Sequence, residues 1–257
     1  SATKSATKSA TKSQLKTAEK YRYEYLSQVY FVTRDSLIDQ GVVFFGGYAN
    51  AMFSRYMPKN SGYSVRRIPD FDVLSTDPVK TATIVKERLE DAKVKKVEII
   101  KHSKIGELIE THYEIRVGKD TVAFVYKPIA CHSYNVINIK GKSIKIATID
   151  TMLSFYLAFY YIDRPYYERN RILCMSEYLF QVQQKNRLKQ KGLLKRFSLE
   201  CYGEQPTIED IRAEKTRKYK ELKAKKGTKE YDRWFLRYIP QEEEKNQTVT
   251  AEKNEKQ

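Results

Sequence analysis

No apolar run in this 257-residue chain approaches the ~20 positions that a membrane span requires. The stretch SFYLAFYYI (154–162) is too short and lies between polar flanks, which predicts a buried helix. The chain starts without an apolar core segment, so no secretory signal is expected. Cysteine is scarce: Cys131, Cys174 and Cys201 stand singly, form no metal-ligand pair, and lead to the expectation of a reducing, intracellular setting. Acid is in deficit as well. Against 48 Lys and Arg there are 32 Asp and Glu, a net charge of +16, and such an excess implies a polyanionic partner such as nucleic acid or anionic lipid. What is present in quantity, 41% hydrophobic and 31% charged residues, suffices for one large domain or two small ones with a sizeable core.

Residues 1–13, SATKSATKSATKS, repeat a four-residue unit with nothing to bury and are expected to be a disordered tail; the polar residues 241–257 are expected to be another. Between them the pattern predicts an α+β domain over 14–140, a mixed sheet with flanking helices, and a mainly helical domain over 141–240. A helical stretch leads to strand VVFFGG and a helix beginning near Tyr48. Strand IPDFDVLS then leads to a helix with Pro78 in its first turn and Asp77 as its cap. Three β-rich runs follow, the last two joined by the turn GKD (118–120), and KSIKIATI is a further strand. Beyond it come TMLSFYLAFYYI, capped by Thr148 or Asp150, then YERNRILCMSEYLFQVQQKNRL and the charged helix TIEDIRAEKTRKYKELKAKK. Many of the 20 tyrosines, as in YRYEYLSQVY and LAFYYIDRPYY, lie at helical spacing and are expected in the core or at an interface.

The chemistry concentrates between Val42 and Ser75. Strand residues i and i+2 share a face, so Asp70 and Asp72 converge while Phe71 and Val73 turn to the core. Two carboxylates so placed repel unless a cation neutralises them, and a pair of Mg2+ ions on a triphosphate is the usual chemical reason for the arrangement. Gly46 and Gly47 let backbone N–H groups approach phosphate oxygens, with the positive end of the following helix behind them.

Strand, Gly-Gly, helix, strand and DxD in that order resemble the nucleotidyltransferase fold of the DNA polymerase beta superfamily. FFGGYANAMFSRYMP, IPDFDVLS, YKPIACHSYN, ATIDTMLSFYLAFYYIDRPYY and NRLKQKGLLKRFSLECYG, between about Val42 and Pro240, are similar to the poly(A) polymerase catalytic subunit of poxviruses and giant DNA viruses. The resemblance implies addition of AMP from ATP to RNA 3′ ends. Asp70 and Asp72 would hold Mg2+ or Mn2+, Gly46 and Gly47 would contact the triphosphate, and the chain would sit in host cytoplasm or virion without a membrane; beside the matched residues, Tyr48 after the glycines and Arg67 before the aspartates are further candidates for nucleotide contact. A second copy of the chain or a viral processivity partner is also implied.

The family carries a third carboxylate on a later strand of the sheet. TVAFVYKP has no acid, and Glu114 in HYEIRV, between Tyr113 and Ile115, is the substitute, ahead of Asp120 and Glu98. KNSGYSVRR reads as a loop inserted between the glycines and the aspartates. The alternative to an enzyme is a catalytically degenerate module acting as an RNA-binding or dimerisation scaffold.

The histidines share no ligand spacing with the cysteines and read as hydrogen-bonded strand or loop residues. Ser133, Tyr134 and Asn135 are candidates for contact with a base or ribose. Lys185, Arg187, Lys189, Lys191, Lys195 and Arg196, gathered around Gly192 with leucine anchors between them, are candidates for tracking RNA phosphates, and Arg66 joins Arg67 upstream of the aspartates.

Overall fold

Residues Lys12–Asp39 form one continuous helix, α1, which ends just before Gly41 takes up a left-handed φ of 66°. The computed structural model describes residues 12–57, 70–162, 164, 166–196 and 198–236, with side chains from residue 23 onward. The tail over 241–257, most of the 1–13 repeat, the inserted loop, Arg66 and Arg67 lie outside the described residues.

Strand β1 (Val43–Phe45) runs directly into α2 (Gly46–Phe53), and β2 (Phe71–Leu74) into α3 (Pro78–Asp91). α2 begins at Gly46, two residues earlier than its apolar pattern predicts. Asp77 caps α3 by accepting from the Lys80 N–H at 3.0 Å, with Pro78 in the first turn where no N–H is needed. The sheet continues with β3 (Val97–His102), β4 (His112–Val117), β5 (Asp120–Tyr126), β6 (His132–Ile139), β7 (Lys142–Ala147) and the short β8 (Cys201–Tyr202). Its order is β3-β4-β5-β2-β1-β7-β6-β8. The β2/β5 and β1/β7 pairs are parallel and the others antiparallel.

Alternation along the central strands separates two cores. Phe44 and Phe71 meet Tyr30 of α1 and Tyr48 of α2 on one face, whereas Phe45 turns to the other and stacks on Phe155 with ring centroids 4.7 Å apart. Phe155 belongs to α4 (Ile149–Ile162), which begins the mostly helical C-terminal region. Thr148 accepts from the Thr151 N–H at the start of α4, as a cap does. There follow α5 (Arg169–Lys185), a 3-10 turn (Gly192–Leu194), α6 (Ile208–Leu222) and the short α7 (Lys229–Asp232). α6 is fastened to the β3–β4 loop by Lys215, whose ammonium is buried against Glu107 and the Trp234 carbonyl. Among the described residues no helix is long and apolar enough to cross a membrane.

Two expectations change. Ser133, Tyr134 and Asn135, the candidates for contact with a base or ribose, lie in the first half of β6. Asn135 is buried, donating to the Lys195 carbonyl at 2.8 Å, and Ser133 Oγ lies 2.8 Å from Thr148 Oγ1. The cysteines do not all stand singly either. Pairing of β8 with β6 sets Ser133 opposite Cys201, and Cys131 forms a disulfide with Cys201 across 70 residues of sequence; Cys174 is free and exposed.

Candidate active site

The glycine turn and the aspartate strand meet because β1 and β2 are antiparallel neighbours, with Phe45 opposite Asp72. Gly46, immediately after Phe45, has φ 65°, and a Cβ there would collide with the Asp72 carboxylate. Only glycine meets both demands at that position. Gly47 donates its backbone N–H to Asp72, so the turn expected to cradle phosphate also seats the second aspartate.

Asp70 stands one residue before β2. Its Oδ1 is buried without a hydrogen-bond donor among the described residues, and Arg171 Nη2, at the start of α5, is 3.9 Å away. Burial and then the neighbouring Asp70 charge push the Asp72 carboxyl well above the usual carboxylate range, against the opposing effects of Arg171 and the Gly47 N–H. An under-coordinated oxygen beside a carboxylate that resists ionisation fits a divalent cation, and Asp70 and Asp72 are the residues that would hold it. Among the described residues no group of three or more His, Cys, Asp or Glu stands ready to hold a metal.

Glu114 lines the same cleft as Asp70, a cavity of about 650 Å³ that also includes His102, Thr121, Tyr166 and Arg171. It is separated from Asp72 by one strand. Phe124 of β5 is the register partner of both, so an aromatic ring occupies the position between the two acids. Both Glu114 oxygens are engaged. Oε1 accepts from Thr121 at 2.5 Å and from Arg116 at 2.9 and 3.2 Å, and Oε2 from His102 at 3.0 Å. Burial acts to raise this carboxyl, and the bonds from Thr121, His102 and Arg116 outweigh it, holding the group below the usual range.

The Tyr48 side chain packs among Phe44 and Phe71 on the opposite face, where burial pushes its hydroxyl up to about 12, which leaves its backbone N–H for any nucleotide contact. The basic group from Lys185 to Arg196 is gathered at the far end of α5 and the turn after it, tied to β6 through Asn135. Arg171 is the residue that sequence reasoning missed. The signal was available: Arg169 and Arg171 occupy the first turn of a helix, where the macrodipole disfavours cations and an acidic neighbour must compensate.

No family model matches the chain, and no curated protein does. Among solved structures the fold is similar to the Megavirus polyadenylate synthase, at 17% identity and a TM-score of 0.47 over 86% of this chain; the chain spans 45% of that protein's length. It is also similar to an antigenic nucleotidyltransferase-like protein from Paracoccidioides brasiliensis, with 15% identity, a TM-score of 0.36, and coverage of 61% of this chain and 75% of that one. For ANT(2")-Ia in complex with adenylyl-2"-tobramycin the values are 12%, 0.38, 63% and 96%. These are distant likenesses, and no residue assignment follows from them.

Proposed function

We propose that this chain is a metal-dependent nucleotidyltransferase that moves AMP from ATP to the 3′-hydroxyl of RNA. The observation that carries the reading is the pairing of Asp70 and Asp72 against the glycine turn, one oxygen lacking a donor and the other carboxylate resisting ionisation. Mg2+ or Mn2+ bound by the two aspartates would supply neutralisation of the triphosphate charge. With the Gly47 N–H given to Asp72, the neighbouring backbone N–H groups at the start of α2 bind and orient phosphate oxygens. Arg171 offers a further cation on the same side as Asp70. Glu114, with both oxygens engaged, acts by fixing His102, Arg116 and Thr121 in the cleft wall. ATP and RNA come from the sequence resemblance and the net charge of +16.

The test is extension of a labelled RNA primer with ATP and Mg2+ or Mn2+. Asp70→Ala and Asp72→Ala are each expected to slow extension by several orders of magnitude, because little but charge neutralisation and positioning drives such a transfer. Unchanged extension by the double variant would overturn the assignment. A second reading is supported by Phe124 standing where a third acid would be sought: a degenerate module that binds RNA as a scaffold. RNA binding without any transfer by the wild-type chain would favour it.

A further inference from the structure

Two polar contacts join the start of α5 to the aspartate side of the sheet, and they differ in kind. One is the Arg171–Asp70 pair, at 3.9 Å. The other links two phenols: Tyr126 of β5 and Tyr167, two residues before α5, have their hydroxyls 3.4 Å apart. Tyr126 is buried, its ring centroid 4.8 Å from that of His112 and 5.4 Å from that of Phe45. Tyr167 lies against Phe159 of α4 with ring centroids 4.3 Å apart, whereas its neighbour Tyr166 is exposed in the cleft that holds Asp70 and Arg171. One tyrosine anchors, and the other faces the cleft.

A substrate acts on the two contacts differently. A divalent cation on Asp70 takes up the charge that faces Arg171, and a triphosphate offers the guanidinium a bidentate partner, so the first contact is given up as the site fills. The phenol pair uses neither the aspartate oxygens nor the N–H groups of the glycine turn, and it stays. It is also close to the chemistry. Burial raises both phenols, and the Asp72 charge adds to the rise at each. Strand register agrees, since Tyr126 is two residues beyond Phe124, the partner of Asp72, and therefore shares its face of the sheet.

We propose that Tyr167 is a positioning residue for the transfer: through its bond to Tyr126 it holds the start of α5 on the sheet, so that Arg171, once released by Asp70, stays within reach of the triphosphate. Tyr167 itself touches no substrate. The inference rests on the metal-dependent nucleotidyl transfer proposed above, and adds to it the group that sets where the arginine stands.

The test separates this tie from stability alone. Tyr167→Phe strands the buried Tyr126 hydroxyl, whereas Tyr126→Phe together with Tyr167→Phe removes both ends of the bond and leaves no hydroxyl unpaired. The single variant is therefore expected to lower the urea midpoint, and the double variant to regain it. Both should raise the KM for ATP in primer extension about three- to tenfold, the range for one hydrogen bond, with kcat changed far less. On an Arg171→Ala background Tyr167→Phe should add nothing to KM, because it acts through that arginine. A KM that recovers along with the midpoint in the double variant, or a full Tyr167→Phe effect in the absence of Arg171, would overturn the proposal. A nitroxide on Cys174, which is free, exposed and three residues beyond Arg171 on α5, reports on the helix without any substrate. It should be more mobile in both phenylalanine variants than in the wild type, and equal mobility in all three would also overturn the proposal. Absence of extension by the wild type would remove the catalytic reading, and the nitroxide would then decide alone whether Tyr167 holds α5 in place.

Discussion

Gly46 is where a single hydrogen atom decides the geometry of the site. Its φ of 65° and its contact with Asp72 are separate demands, and they can be separated by experiment. Gly118 has nearly the same φ, 62°, with nothing within 4 Å of the place a Cβ would occupy, so Gly118→Ala measures the backbone cost alone, about 1–2 kcal/mol. Gly46→Ala is expected to exceed that loss in urea unfolding and also to abolish transfer, because the carboxylate must leave its seat on the Gly47 N–H. Equal losses of stability for the two variants would show that Asp72 yields without resistance. The sequence alone showed glycines suited to a phosphate; that one of them is required by the second residue of β2 depends on register, which no local pattern carries.

At the scale of elements, the edge of the sheet holds a ladder of rings. His102, His112 and Tyr126 face one another across β3, β4 and β5, and His112 is fully buried with ring centroids 5.0 and 4.8 Å from its two neighbours. Burial pulls the His112 pKa down to about 4; its Nδ1–H bond to the Glu110 carbonyl and the nearby Glu114 charge act the other way, and the His102 ring adds to the lowering. The unfolded chain, with an ordinary value near 6.5, binds the proton that the fold refuses. Stability should therefore be flat above about pH 6.5 and fall as the pH drops toward 4, by on the order of 3 kcal/mol. Urea midpoints across that range should show the loss, and His112→Gln should reduce it; an undiminished slope in the variant would place the proton uptake elsewhere.

Elements were legible in proportion to how far local pattern set them. α3 followed from Pro78 and Asp77, and β4 and β5 from β-rich runs on either side of the turn GKD. β6 was not legible, because its first residues are polar and serve Thr148, the Lys195 carbonyl and β8 in place of the core. Of the candidate site, the Asp70–Asp72 pair could be read from period-two spacing. The environment of Glu114 could not, since its partners come from three strand segments.

The whole molecule is closed by contacts distant in sequence. The Cys131–Cys201 bridge spans 70 residues, including α4, α5 and the basic turn. Restriction of the unfolded chain over such a loop amounts to about 4 kcal/mol. Reductant should lower the urea midpoint of the wild type accordingly, and a Cys131→Ser, Cys201→Ser double variant should begin at the lower value and ignore reductant. A wild-type midpoint indifferent to reductant would show that β8 is held by its strand pairing and by the packing of Gly203 on Pro128 and Ala130 without help from the bridge.

One helix connects both ends of the proposed chemistry. α5 presents Arg171 to Asp70 near its first turn and carries Lys185, the first of the basic group, at its last residue, fourteen residues later, or about 21 Å along the axis. A helix is an inextensible rod at this scale. On the proposed reading, an RNA that offers its terminal hydroxyl beside Asp70 and lays its phosphates against the basic turn must bridge that fixed gap, which would make α5 a ruler: RNA too short to span it would hold one end or the other, and RNA long enough would gain both at once.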